Sequence, residues 1–96
     1  MRVITNRRLI EFAIRHPVAS EPLQSWRRAM ESRSFASFSE LRQTFGSVDK
    51  VADLYVFDIG GNKFRLIAFL RFDQQIAYIK HVLTHVEYDR NTWRSS

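Results

Sequence analysis

The chain has no cysteine, and only three glycines and two prolines in 96 residues. Without thiols it can build neither a disulfide scaffold nor a thiolate nucleophile, and a cytoplasmic protein fits that composition. So little glycine leaves no phosphate-cradling loop, because Gly60-Gly61 is too short for one and reads as a hairpin turn. No run approaches the roughly 18 consecutive apolar residues of a transmembrane helix. The opening Met1-Arg2-Val3-Ile4-Thr5-Asn6-Arg7-Arg8 also lacks the apolar centre of a signal peptide. A soluble chain with no membrane partner is expected. Acidic residues are scarce as well, ten against fifteen basic ones, which leaves a net charge of +5.

Twelve of the fifteen basic residues are arginine. A guanidinium is a planar fork that matches phosphate and stacks on bases, which an ammonium cannot do. The charge therefore favours a polyanionic or strongly acidic partner, although a merely basic soluble domain has the same balance. Apolar residues at 45%, with eight phenylalanines, exclude a disordered chain. The length allows one domain, residues 1–96, with a marginal core.

The first half carries helical signals. Asn6 is placed to cap a helix with the apolar stripe Leu9, Ile10, Ala13 and Ile14, ended by His16-Pro17. Ser20 is placed to cap a second helix burying Leu23, Trp26 and Met30. The spacing Ser37-x-x-Glu40 predicts a capping box on a short third helix, which buries Phe38, Leu41 and Phe45 and stops at Gly46. In the second half the period changes to two. Leu54 to Ile59 is strand-like, and Gly60-Gly61-Asn62 is a turn whose residues accept positive φ. Phe64, Leu66, Ala68, Leu70 and Phe72 share one face of the next strand, with Arg65 and Arg71 on the other. Asp73-Gln74-Gln75 turns the chain into a third strand, Ile76 to Leu83. The expected architecture is α+β: N-terminal helices covering one face of a three-stranded antiparallel meander, with a short C-terminal helix. The tail from Asn91 is polar apart from Trp93 and is expected to be loosely held.

Chemistry concentrates late in the chain. Thr84-x-x-Glu87 predicts a second capping box, which makes His85 the first residue of a helix and places Tyr88 one turn in. The positive end of a helix disfavours imidazolium, so His85 is positioned as a neutral general base. From its position alone it reads first as an ordinary exposed residue of a first turn. Lys63 and Arg65 are two apart and share a strand face, and Lys80 on the neighbouring strand can join them as a cationic patch for a phosphate; a solvated sheet face looks the same. His81 either faces the same cleft or fills the opposite strand face. His81 and His85 match a two-histidine zinc spacing only on one continuous helix, and with no third ligand in view no metal site is assigned.

These residues also carry a resemblance. The string Tyr55-Val56-Phe57-Asp58-Ile59-Gly60-Gly61-Asn62-Lys63-Phe64-Arg65-Leu66, then Tyr78-Ile79-Lys80, then Thr84-His85-x-Glu87-Tyr88-Asp89, resembles the HigB-type toxins of bacterial type II toxin–antitoxin systems, which belong to the RelE-like mRNA interferases. Arg2-Val3-Ile4-Thr5 and Phe38-x-x-Leu41 are similar too, so the likeness covers nearly the whole chain. It implies a small toxin that cleaves mRNA, in many members on the translating ribosome, until a cognate helix-turn-helix antitoxin of HigA type masks it. It further implies an endoribonuclease that needs no metal or cofactor, in which the 2′-hydroxyl upstream of the scissile bond attacks the phosphate. By position, Arg65 would hold the phosphate, with His85 and Tyr88 as the proton-transfer and base-stacking or orienting groups. Lys63, Lys80, Asn62, Arg71 and Arg90 complete the implied RNA-binding set. The competing class is a non-catalytic RNA- or ribosome-binding module that stacks bases on exposed Tyr and Trp. A protein-binding partner is a third, resting on Trp26, Trp93 and the Phe-rich helices, which are more often core.

Overall fold

A computed structural model describes residues 1–95. In chain order the elements are β1 (Arg2–Ile4), α1 (Asn6–Arg15), a 3-10 turn (Pro17–Ala19), α2 (Ser20–Glu31), α3 (Phe38–Thr44), β2 (Asp49–Val51), β3 (Leu54–Ile59), β4 (Phe64–Arg71), β5 (Ile76–Thr84), α4 (His85–Asp89) and a second 3-10 turn (Thr92–Ser95). The strands form one sheet in the order β1-β5-β4-β3-β2.

The α+β class holds, but the sheet has five strands rather than three. β3, β4 and β5 are the expected antiparallel meander. β2 adds to its outer edge antiparallel to β3, and β1 pairs parallel with β5, so the sheet is mixed. Both extra strands span three residues, too few for a period of two to register. The β2–β3 turn also hides, because its left-handed residue is Ala52 at φ 57° where glycine or asparagine would mark it.

The helices cover one face of the sheet. Leu9 and Phe12 of α1, Leu23, Trp26 and Met30 of α2, Phe35 and Leu41 pack with Tyr55, Phe57 and Ile59 of β3, Leu66, Ala68 and Leu70 of β4, and Ala77 and Ile79 of β5. The α2 stripe is as its spacing predicts. The α1 stripe is rotated: Phe12 is buried, while Ile10 and Ile14 are 50% and 75% exposed. Phe12 takes the inward position because its ring sits 4.5 Å from His16 and edge-on to Phe64 at 5.4 Å. Caps differ as well. Thr5 is the N-cap of α1 and makes no side-chain cap bond, with Asn6 already helical. A buried phenylalanine stabilises by about 1.5–3 kcal/mol and a cap by only ~1 kcal/mol, so α1 forms without one. Ser20 is likewise the first helical residue of α2, since the turn Pro17–Ala19 runs directly into it. At α3, Ser37 caps by accepting from the Glu40 N–H (3.3 Å), but the Glu40 carboxylate accepts from Ala36, one residue before the position a box requires. Leu41 is fully buried and Phe38 and Phe45 are partly so, with Phe45 as the C-cap before Gly46.

The opposite face of the sheet has its own small core, Val56, Ile67 and Trp93, flanked by Val51, Leu54, Leu83 and Tyr88. Far from hanging loose, the tail through Trp93 closes this face.

Candidate functional site

The β3–β4 hairpin ends on the pair Ile59–Phe64. Gly60 and Gly61 take φ of 62° and 70°, the left-handed conformation that glycine supplies without a Cβ penalty. Asn62 does not share it, so its role in the turn is not conformational. Lys63 also lies in the turn, outside β4, and therefore does not share a strand face with Arg65. Its carbonyl instead accepts the His85 N–H at 3.2 Å, tying the hairpin to the first residue of α4. The Thr84–Glu87 box is formed as its spacing predicts: the Thr84 N–H donates to Glu87 Oε1 (2.9 Å) and the Glu87 N–H to Thr84 Oγ1 (3.2 Å).

The bond from the Thr84 N–H, helped by the Thr84 side chain and the nearby Arg15 charge, holds the Glu87 carboxyl below its usual pKa. A depressed carboxyl contributes stability that is fully present above its unfolded pKa and is lost as pH falls through the folded one. Glu87→Gln is therefore expected to flatten the acid limb of the melting temperature against pH, with little change at neutral pH beyond the weaker cap. An unaltered acid limb would remove Glu87 from the acid transition.

Arg65 is only 8% exposed. Its Nε lies 3.1 Å from Asp58, its direct partner across the hairpin. Nη1 donates to the carbonyls of Asn62 (3.2 Å) and Phe64 (3.1 Å), and Nη2 donates to Asn62 Oδ1 at 2.5 Å. A charge this buried needs such partners to offset its lost hydration. The guanidinium carbon sits 5.4 Å from the centroid of the Tyr88 ring. Tyr88 stacks on Trp93 (5.3 Å, 13° between planes), whose Nε1 donates to the Tyr88 carbonyl at 3.0 Å. Asn62, Arg65, Tyr88 and Trp93 thus form one continuous stack beneath the turn.

His85 stands at the rim of this stack, exposed, with Nε2 3.3 Å from the Asp89 carboxylate one helical turn on. Lys63 is exposed beside it and forms no ion pair among the described residues. The structure brings Lys63, Arg65, His85 and Tyr88 to one end of the sheet, with Arg90 exposed at the C-cap of α4. It does not bring Lys80 or Arg71 there. Ile67 pairs with His81 and Ala68 with Ile79, so Lys80 is the extra residue of a bulge, and four residues of β5, roughly 13 Å, separate it from Thr84. Arg71 lies at the far end of β4, bonded to Asp73 at 3.0 and 3.2 Å. His81 meets α1 rather than His85. Among the described residues no three His, Asp or Glu side chains converge as metal ligands would.

Three members of the constellation escape a reading by residue type. Asp58 is legible by counting outward from the turn, since Ile59–Phe64 closure puts it opposite Arg65. Asp89 is legible from its i,i+4 spacing to His85. Trp93 has no local signal at all.

Residues 19–91 match a family model described as HigB_toxin, the RelE-like toxic component of a toxin–antitoxin system. The chain belongs to this HigB toxin family. Along its length it is similar to the mRNA interferase HigB of Escherichia coli O6:H1, with 32% identity over 95 residues, 96% of this chain and 92% of that protein. It is also similar to the mRNA interferase toxin HigB of Escherichia coli K12, with 34% identity over 92 residues, 93% and 88% of the two chains. The mRNA interferase HigB of Shigella flexneri matches to the same extent. HigB membership brings a cognate antitoxin as partner. The whole Asp58–Asp89 constellation lies inside the matched segment, while β1, α1 and Trp93 lie outside it. Among the described residues no helix of this HigB-family chain is long and apolar enough to cross a membrane.

Proposed function

We propose that this protein is an mRNA interferase toxin, an endoribonuclease that cuts messenger RNA in the cytoplasm, on the ribosome, and is silenced by a HigA-like helix-turn-helix antitoxin. The observation that carries this reading is the backbone bond between the His85 N–H and the Lys63 carbonyl, which brings two exposed residues, one bearing an imidazole and one an ammonium, to the same junction. In the proposed reaction His85 takes the proton of the 2′-hydroxyl, the O2′–P bond forms, and the P–O5′ bond breaks. The products are a 2′,3′-cyclic phosphate and a 5′-hydroxyl, the leaving 5′-oxygen taking a proton from water and His85 returning its own to solvent. Lys63 contacts the phosphate directly and stabilises the added negative charge of the pentacoordinate transition state. Arg65, with its donors committed to the turn, contributes a fixed positive charge and holds Tyr88 in place. Tyr88 orients the RNA at the rim, and Asn62 and Arg90 border the path of the strand.

The competing idea, a non-catalytic RNA-binding module, relies on exposed aromatic rings for stacking. Trp26 and Trp93 are instead only 4% and 3% exposed, one in each core, which removes its best candidates and weakens the protein-docking reading with it. Tightly controlled expression, with transcript ends mapped by ligation of 5′-hydroxyl termini, tests the proposal. Growth arrest and new 5′-hydroxyl ends within messages are expected. A folded wild-type protein that is harmless and generates no new ends would defeat it.

A further inference from the structure

We infer that the groove between α1 and the open edge of β5 is a second anion subsite, which holds a backbone phosphate of the message flanking the scissile one. The inference rests on the interferase reading and extends it along the RNA strand. β1 covers β5 only as far as Tyr78, so from Ile79 onward α1, not a strand, lies beside that edge. The groove has a volume of about 150 Å³ and is lined by Arg8, Glu11 and Arg15 of α1 and by His81 of β5, among others. Neither Arg8 nor Arg15 forms an ion pair among the described residues, and the lining acid Glu11 is turned to Arg7, 3.8 Å away. The bulge at Lys80 adds a further cation at this edge, since strand bulges re-aim side chains where pairing ends. Burial first, and then the nearby Arg8 and Lys80 charges, push the His81 imidazole below its usual pKa. Arg8 and Arg15 share the groove with the carboxylate of Glu11, so the arginines outnumber the acid among its lining residues and a bound anion relieves the repulsion between them.

The groove also points the right way. The Arg15 charge acts on the Glu87 carboxyl, so the Arg15 end of the groove is the one nearer α4. From His81 to Thr84, the end of β5, is three residues, roughly 10 Å, and His85 follows as the first residue of α4. A single strand of RNA laid along β5 passes from one to the other.

The test uses the full chain and programmed ribosomes carrying a defined message. Arg8→Gln with Arg15→Gln changes two exposed side chains, and an unchanged melting temperature checks the fold. In single-turnover cleavage the double variant is expected to need about tenfold more protein for half-maximal rate, with the saturating rate unchanged. Messages bearing one neutral methylphosphonate at successive positions then locate the contact. One flanking position is expected to weaken the wild type and leave the double variant unaffected. A double variant equal to wild type overturns the subsite, and so does a defect that no methylphosphonate position reproduces, because the arginines would then be touching ribosomal RNA. A wild type that cleaves nothing overturns the interferase reading itself, whereas a cleaving wild type with an equal variant overturns the subsite alone.

Discussion

Replacing His85 with alanine is expected to slow message cleavage by about a hundred- to ten-thousand-fold, the usual contribution of a positioned general base, while the protein melts where the wild type does. The separation follows from which atoms of His85 hold the fold. Its backbone N–H donates to Lys63, and the capping box belongs to Thr84 and Glu87, so truncating the ring leaves the hairpin–helix junction intact. The side chain's own partner is Asp89, and both are at least half exposed. A pair of that kind is worth about 0–1 kcal/mol, so its loss moves stability little. Single-turnover cleavage on programmed ribosomes, run beside a thermal melt, measures both quantities. A His85→Ala protein that cuts at the wild-type rate would take the imidazole out of the chemistry. Lys63→Ala tests its neighbour in the same assay. It is expected to reduce the saturating rate rather than only the affinity, since a transition-state contact is lost.

The position of His85 was legible because a capping box is a local device. Thr84 and Glu87 are three residues apart, and their reciprocal bonds need nothing from the rest of the chain. The β3–β4–β5 meander was legible for a similar reason, as β4 spans eight residues and the Gly60-Gly61 turn before it is marked by residue type. The missed features depend on distant partners or on broken periods. β1 and β2 span three residues each and exist because longer strands offer them an edge. The α1 stripe turns on Phe12 meeting Phe64, fifty-two positions later.

The same logic sorts the site. Arg65 and Tyr88 read as separate candidates, yet they act as one stack, because Asp58 and Asn62 draw the guanidinium in and the Tyr88 ring lies against it. Lys80 read as a member of the patch because it lies on the neighbouring strand, but it sits four residues before the end of β5 and at a bulge. No glycine or proline marks that bulge, so nothing in the local sequence announces it. Trp93 was the largest omission. A polar tail with one indole looks loose until the uncovered face of the sheet, Val56 and Ile67, is known.

Trp93→Ala is accordingly expected to cost about 3–5 kcal/mol, the range for removing a buried aromatic ring. Small domains hold only about 5–15 kcal/mol in total. At roughly 4–8 °C per kcal/mol for a chain of this size, the melting temperature should fall by more than about 12 °C. The loss should also reach the site. Without the indole, Tyr88 keeps Arg65 on its ring but loses the stacked partner that fixes it, so cleavage measured well below the melting point should still be reduced. Trp26→Ala is the control: it opens the other core, where Trp26 packs edge-on to Phe57, and should destabilise without that residual defect. Trp93→Phe separates packing from hydrogen bonding. It keeps an aromatic face for Tyr88 and forfeits the Nε1 bond, while the Tyr88 carbonyl still accepts from the Asn91 N–H at 3.1 Å. That variant should therefore stay within about 1–1.5 kcal/mol of wild type and cleave nearly as well. If Trp93→Ala melted within a few degrees of wild type, the indole would not be closing the second face. If it melted early but cleaved like Trp26→Ala, the stack from Trp93 through Tyr88 to Arg65 would be structure alone.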